Sequence, residues 1–196
     1  MKLKTLSIAL SSLLLASVIA TNANAAGRLV VYCSATNLMC EQETQAFGKK
    51  YDVKVSFIRN GSGSTLAKVE AEKANPQADV WYGGTFDPQS QAGEMGLLQP
   101  YQSPNLDQIV EKFRDPAKVK GNYTSAIYMG ILGFGVNVER LKKLGIEKVP
   151  SSWEDLLDPR LAGEIQIADP QSSGTAYTAI ATFVQLWGEE KAFEYF

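Results

Sequence analysis

The stretch FIRNGSGSTLAKVEAEKANPQAD, residues 57–79, decides the fold of this chain. The apolar run Val53–Ile58 predicts a strand, and LAKVEAEK, residues 66–73, predicts a helix. A hydroxyl-rich loop, residues 60–65, joins the two. A strand, a Gly/Ser loop and a helix start form the layout of many phosphate-binding sites, although such loops are more often plain N-capping turns. The nucleotide fingerprints GxxxxGK[ST] and GxGxxG are absent, so the loop alone is weakly specific.

The same layout occurs on either side of this stretch. Leu29–Tyr32 and Ala78–Tyr82 predict strands, residues 38–51 predict a helix, and a further helix start follows Gly83. The order βαβαβα predicts an α/β fold with a parallel sheet, in which ligands bind beyond the carboxyl ends of the strands. The candidate ligand-binding residues of these three loops are Ser34, Thr36, Asn37, Ser62, Gly63, Ser64, Gly84, Thr85 and Asp87.

Three aromatic or acidic residues at this edge have two interpretations each. Asp87 can accept a hydrogen bond from a sugar hydroxyl, or it can cap a helix and oppose its dipole. Of Trp81 and Tyr82, one is expected to point to the core and the other to the ligand, although both can serve packing alone.

The second half of the chain repeats the layout of a strand, a hydroxyl-rich loop and a helix start. A polar, proline-punctuated connection, residues 97–121, precedes the glycine-interrupted β-type run Ser125–Val136, which predicts a strand crossing between two sheets. Short helices are expected at 106–113, 138–144 and 153–157, and a strand at Glu164–Ala168. A Ser/Gly/Thr loop then leads into a long helix from Thr175 to Trp187. Its candidate anion-binding residues are Ser172, Ser173, Gly174 and Thr175.

The first 25 residues have the pattern of a secretory signal peptide. Lys2 and Lys4 precede the apolar run Leu6–Ala20, and Ala23-Asn24-Ala25 fits a small-x-small cleavage site. The mature protein is therefore expected to be exported. Its acidic, evenly mixed charge argues against a nucleic-acid or membrane surface. The aromatic, helix-like end of the chain, residues 187–196, lacks a capping signal, so a truncated second lobe is expected.

Cys33 and Cys40 are the two cysteines of the chain. In an exported protein a disulfide between them is expected, holding the loop 34–38 in one shape. Two buried thiols or a redox pair are the alternatives, although the spacing is not CxxC.

Several segments together resemble the solute-binding proteins of ABC importers: the export signal, NGSGSTLAKVEAEKANPQADVWYGG, ILGFGVN and SSWEDLLDPRLAGEIQIADPQSSGTAY. Within that group the chain is similar to the ferric-iron-binding branch, in its Fbp and Afu types. It is closest to the Afu type, whose members include hexose-phosphate binders. The resemblance implies the type II periplasmic-binding fold, with a parallel-sheet first lobe at residues 26–124 and an incomplete second lobe at 125–196.

The resemblance also implies a function and partners. Such a protein is a periplasmic monomer that closes its two lobes on a small anionic solute and delivers it to an inner-membrane permease. It is not an enzyme and carries no cofactor or resident metal. Complete members are close to twice the mature length of this chain.

A sugar phosphate and ferric iron are both possible solutes. Ferric binding in this group uses hard anionic ligands, typically a late pair of adjacent tyrosines, and the chain has no histidine and no Tyr-Tyr pair. Its loops carry neutral hydroxyls, which suit phosphate and sugar oxygens better than Fe(III). A hexose phosphate is therefore the expected solute. A Ser-His triad is impossible without histidine, and a thiol oxidoreductase using both cysteines is the remaining enzyme alternative.

Overall fold

The computed structural model describes residues 27–114 and 123–196, so the expected signal peptide lies outside the described part. A three-stranded parallel sheet organises the first half, with β1 in the centre and the order β2-β1-β3. The strands are β1 (Arg28–Cys33), β2 (Lys54–Arg59) and β3 (Val80–Tyr82). The predicted parallel α/β arrangement is confirmed.

Three helices connect or follow these strands: α1 (Asn37–Tyr51), α2 (Ser62–Ala71) and α3 (Phe86–Glu94). Strand β1 is paired along both of its edges. Val31 lies opposite Phe57 of β2 on one edge and opposite Val80 of β3 on the other. Val31, Tyr32 and Cys33 are therefore buried. Because every strand runs in the same direction, the loops after β1, β2 and β3 all emerge at one edge of the sheet.

Cys33 and Cys40 form a disulfide across the turn between β1 and α1. Their Cα atoms are 6.0 Å apart, and both side chains are fully buried beside Val31 and Ala35. The predicted pairing is confirmed. It fixes the start of α1 against the end of β1.

The second half is helical: α4 (Val138–Lys143), α5 (Gly174–Trp187) and α6 (Glu189–Tyr195). Short 3₁₀ turns at Glu154–Leu157 and Pro159–Leu161 precede α5. The turn at 154–157 stands where a helix is predicted, and two 3₁₀ turns, Leu106–Gln108 and Glu111–Phe113, replace the single helix predicted at 106–113. Leu141, Ile146 and Leu161 form a small apolar core.

The strands predicted at 125–136 and 164–168 do not form, so both predictions are wrong for this structure. Both segments have strand-like composition, but a strand also needs a neighbour that accepts and donates its backbone hydrogen bonds. In the described part of the chain, the sheet pairs only β1, β2 and β3. The side chains are correspondingly open, with Ile131 95% exposed and Ile165 and Ile167 about half exposed.

An aromatic cluster joins α5 and α6. Phe183 is 2% exposed, and its ring lies 4.9 Å from Trp153 and 4.8 Å from Trp187. Tyr195 of α6 stands 4.9 Å from Phe183, and its hydroxyl donates to the Trp153 carbonyl at 2.7 Å. Six residues make up the cluster: Phe134, Trp153, Phe183, Trp187, Tyr195 and Phe196. Within residues 27–114 and 123–196, no helix has the length and apolar character needed to cross a membrane.

Candidate ligand-binding site

The loops after the three strands are tied together by backbone hydrogen bonds. Ser34 N–H donates to the Tyr82 carbonyl at 2.8 Å. Asn60 N–H donates to the Cys33 carbonyl at 3.0 Å. These bonds extend the sheet pairing by one residue at its carboxyl edge. The loop positions are thus fixed by the strands.

Ser34 is held inside a hydrogen-bonded chain. Its Oγ accepts from Trp81 Nε1 at 2.9 Å and lies 3.1 Å from Thr65 Oγ1. The Thr65 hydroxyl donates to the Gly61 carbonyl at 2.9 Å. Since a hydroxyl has one proton, Ser34 donates to Thr65. Ser34 therefore orients α2 and has no proton left for a solute in this arrangement.

Helix α2 begins earlier than the sequence predicts. Gly61 is its N-cap and Ser62 its first residue, so the predicted loop 60–65 and the helix start at Leu66 are wrong. The reason is local: extended Gly61 lets its carbonyl accept from Thr65 N–H at 2.9 Å, which closes the first turn. Ser62, Gly63 and Ser64 thus form the first turn, whose N–H groups lack intrahelical acceptors.

The loop after β3 depends on two glycines in the left-handed region, Gly83 at φ 72° and Gly84 at φ 92°. A Cβ at Gly84 would lie 2.5 Å from Ser62 Oγ and 2.7 Å from Ser34 Cβ. The Gly84 N–H donates to the Tyr128 hydroxyl at 2.7 Å. Tyr128 comes from the irregular segment 123–137, and nothing in its sequence context distinguishes it from a packing residue.

The turn before α5 is organised by Asp169. Its side chain accepts from Gln171 N–H at 2.9 Å, and its carbonyl accepts from Ser172 N–H at 3.1 Å and Ser173 N–H at 2.9 Å. Ser173 then caps α5, accepting from Ala176 N–H at 3.3 Å. Asp169 is not among the residues predicted for the site, although Asp-Pro before a Ser/Gly run is a turn signal.

The starts of α2 and α5 and the loop after β3 meet at one point. Ser62 Oγ accepts from Thr85 N–H at 3.1 Å. Gly63 N–H donates to the Ser172 carbonyl at 3.2 Å. A Cβ at Gly174 would lie 2.4 Å from Thr85 Oγ1 and 2.7 Å from Ser62 Oγ. Thr85 Oγ1 is itself buried and has no hydrogen-bond partner among the described atoms.

Four other candidate residues are exposed, and two of them make hydrogen bonds within α1 and its N-cap. Thr36 is exposed and caps α1 by accepting from Met39 N–H at 3.4 Å. Asn37 donates to Glu41 Oε1 at 2.6 Å. Asp87 is exposed in the first turn of α3, and Thr175 is exposed in the first turn of α5.

Trp81 and Tyr82, which are adjacent in β3, make different contacts. The Trp81 indole donates to Ser34 within the site, whereas Tyr82 packs against the core beside the disulfide. Burial raises the pKa of Tyr82, with smaller contributions from Glu43 and Tyr128. The site edge therefore consists of hydroxyls, an indole N–H and backbone N–H groups. In the described ranges, no group of three His, Cys, Asp or Glu side chains is arranged to hold a metal ion.

Residues 75–196 match the family described as bacterial extracellular solute-binding protein, and the chain belongs to that family.

The chain is also similar to three individual proteins. An uncharacterized protein of Haemophilus influenzae is 70% identical over the whole chain, which covers 57% of that relative. The structure of the periplasmic binding protein AfuA from Actinobacillus pleuropneumoniae, with exogenous fructose-6-phosphate bound, is 78% identical with a TM-score of 0.83. The alignment covers 86% of this chain and 53% of AfuA. The structure of the periplasmic binding protein P5PA is 55% identical with a TM-score of 0.82, covering 86% of this chain and 54% of P5PA. The chain thus spans about half the length of these proteins.

Proposed function

We propose that this chain is a periplasmic solute-binding component of an ABC importer that captures a hexose phosphate for an inner-membrane permease. The convergence of the α2 and α5 starts on the Ser62–Thr85 contact carries the proposal. Two helix N-termini and several hydroxyls surround one small region there. Such groups stabilise an anion without a basic side chain, because helix N–H groups and the helix dipole supply the positive potential.

The similarity to AfuA supports the class of solute. That protein is 78% identical and was determined with fructose-6-phosphate bound. The hydroxyls and N–H groups can donate to both the phosphate and the sugar of a hexose phosphate, since phosphate and sugar oxygens both accept hydrogen bonds.

The division into lobes at residues 26–124 and 125–196 belongs to the same proposal. Binding would use the first-turn groups of α2, the loop at Gly84 and Thr85, and the turn from Ser172 to Thr175. Ferric iron is the weaker candidate, because the donors described at this edge are neutral, and Fe(III) prefers hard anionic oxygens.

Titration calorimetry of the exported, signal-free chain tests the proposal. Fructose 6-phosphate and glucose 6-phosphate should bind at least tenfold more tightly than fructose and glucose, because the phosphate adds charge-assisted hydrogen bonds. Ferric citrate should give no comparable heat. Equal affinity for free and phosphorylated sugar, or no binding of either, would contradict the proposal.

A double variant and its control locate the binding. Ser173→Ala with Thr175→Val should weaken sugar-phosphate binding at least tenfold, since each hydrogen bond to a charged group contributes about 1.5–3 kcal/mol. Thr44→Val is the matched control, because the Thr44 hydroxyl bonds the Cys40 carbonyl within α1. An equal loss in both variants would assign the effect to general stability.

A further inference from the structure

A phenol from the irregular segment 123–137 contacts the loop after β3. The Tyr128 hydroxyl accepts from the Gly84 N–H at 2.7 Å. A Cβ at Gly83 would lie 3.2 Å from this oxygen and 2.9 Å from the Cβ of Ala35. The phenol oxygen therefore lies against the loop after β3 and close to the loop after β1. Both loops belong to the candidate site, whereas the sequence pattern assigns Tyr128 to neither of them.

The hydroxyl of Tyr128 has a proton that no described residue accepts. A tyrosine hydroxyl has one proton and can accept through its lone pairs, and the Gly84 N–H donates to this oxygen. Within residues 27–114 and 123–196, the Tyr128 hydroxyl makes no other hydrogen bond. The side chain is 45% exposed, so a molecule that enters from solvent can accept the proton.

Tyr128 differs in this respect from two other polar groups of the site. Ser34 donates to Thr65, and the Trp81 indole donates to Ser34, so neither has a proton for a solute. The bond from Gly84 also strengthens Tyr128 as a donor, because hydrogen bonds in a chain polarise one another. A strengthened neutral donor matches an anionic oxygen, which can only accept and which forms the stronger, charge-assisted hydrogen bonds.

We propose that Tyr128 is a solute-binding residue, whose hydroxyl accepts from Gly84 and donates its proton to a phosphate oxygen of the solute. This assignment rests on the proposed function and adds a donor from outside the predicted loops. Gly84 is then a positioning residue, because its N–H holds the phenol oxygen at the site.

The place of Tyr128 in the chain is compatible with the opening and closing of two lobes. In the proposed division it lies shortly after residue 124, in the segment that connects the lobes. Displacement during a hinge rotation grows with distance from the axis, so residues of the connection keep their neighbours while more distant loops separate. The bond between Tyr128 and Gly84 is therefore compatible with both an open and a closed protein.

Titration calorimetry of the signal-free chain with fructose 6-phosphate, and separately with inorganic phosphate, tests the assignment. Tyr128→Phe should weaken the binding of both probes at least tenfold and by similar factors, because a charge-assisted hydrogen bond is lost while the ring remains. Tyr123→Phe is the matched control from the same segment. The Tyr123 ring packs on α3, since a Cβ at Gly93 would lie 2.4 Å from its Cδ2, and its hydroxyl bonds no described residue. This control should bind as the wild type does.

Amide hydrogen exchange without solute separates proton donation from a displaced loop. The Thr85 N–H donates to Ser62 Oγ, so its exchange rate reports whether the loop after β3 stays in place. The rate should be the same in the wild type and in Tyr128→Phe. A Thr85 amide that exchanges at least tenfold faster in Tyr128→Phe would assign the loss of affinity to the loop and overturn the proposal.

The two probes distinguish failure of this assignment from failure of the proposed function. Unchanged affinity of Tyr128→Phe for both probes, or a loss for fructose 6-phosphate alone, would overturn the phosphate role of Tyr128 and leave the proposed function standing. If the wild type binds inorganic phosphate as tightly as fructose 6-phosphate and Tyr128→Phe loses both, the role of Tyr128 stands and the hexose-phosphate function fails. No binding of either probe by the wild type would contradict both.

Discussion

Tyr32 joins the central strand to helix α2 through a single phenol. Its side chain is 1% exposed, and its hydroxyl donates to Glu72 Oε2 at 2.6 Å. Lys68 donates to the other oxygen of Glu72 at 2.7 Å and lies over the Tyr32 ring. The pKa of Glu72 is lowered by Lys68 first and Tyr32 second, while burial and Glu72 raise the pKa of Tyr32. The phenol thus fixes the C-terminal end of α2, at the opposite end of the helix from Ser62.

Tyr32→Phe should lower the free energy of unfolding by about 1–3 kcal/mol, because a hydrogen bond to a charged group is lost with little change in volume. Urea unfolding followed by circular dichroism measures this. Tyr101→Phe is the control, since Tyr101 is 66% exposed and should change stability little. Equal stability of Tyr32→Phe and the wild type would show that the phenol does not stabilise α2.

Asp158 is a carboxylate whose ionisation should affect stability. Its carboxylate accepts from Arg160 N–H at 2.9 Å and from Arg160 Nε at 3.0 Å, and Arg160 also donates to the Gly145 carbonyl at 2.7 Å. The Arg160 side chain, followed by its backbone N–H, lowers the pKa of Asp158 to about 2. A carboxylate with a lowered pKa stabilises the fold only while it is ionised.

The stabilisation by Asp158 should be complete above about pH 4 and disappear as the pH falls towards about 2. Asp158→Asn should therefore be less stable than the wild type near pH 6, and the difference should shrink through this window. Urea unfolding at a series of pH values measures it. Asp107→Asn, at a fully exposed carboxylate, serves as control. A difference that stays constant down to pH 2 would contradict the ionic role of Asp158.

Helices α5 and α6 are held together by the aromatic cluster. Phe183 is its centre, since four other rings lie within 5.3 Å of its ring. The start of α5 carries the turn that meets α2, so a loss of this packing would also loosen the site.

Phe183→Ala should lower the free energy of unfolding by about 3–5 kcal/mol, the usual cost of removing a buried aromatic ring. Thermal unfolding of this variant and of Phe193→Ala provides the comparison, because Phe193 on α6 is 59% exposed. The control should stay within about 0.5 kcal/mol of the wild type. Similar losses in both variants would show that the cluster is not centred on Phe183.

Local periodicity and composition predict the long helices α1 and α5 and the strands of the central sheet, whereas the helices predicted at 106–113 and 153–157 form only 3₁₀ turns. The pattern of 125–136 predicts a strand wrongly, because its side chains suit a sheet while no described strand lies beside it. The start of α2 is misplaced for another reason: a Gly/Ser run reads as a loop, but Gly61 as N-cap lets the serines begin the helix.

For the molecule as a whole, the sequence predicts which loops meet but not how they touch. The Ser, Gly and Thr residues near Ser62, Thr85 and Ser173 are recognisable from composition. The contacts of Tyr128 with Gly84 and of Ser172 with Gly63 join residues 44 and 109 positions apart. Such pairs depend on the packing of the folded chain, and a single sequence carries no signal for them.

The position of Trp81 makes its indole a fluorescent probe of the loop after β1. The chain has three tryptophans, and two of them, Trp153 and Trp187, belong to the aromatic cluster. The third donates its indole N–H to Ser34 in the loop after β1. With phenylalanine at positions 153 and 187, all indole fluorescence would come from a single fluorophore one hydrogen bond away from that loop. Its emission wavelength would then report the polarity around the loop after β1 directly.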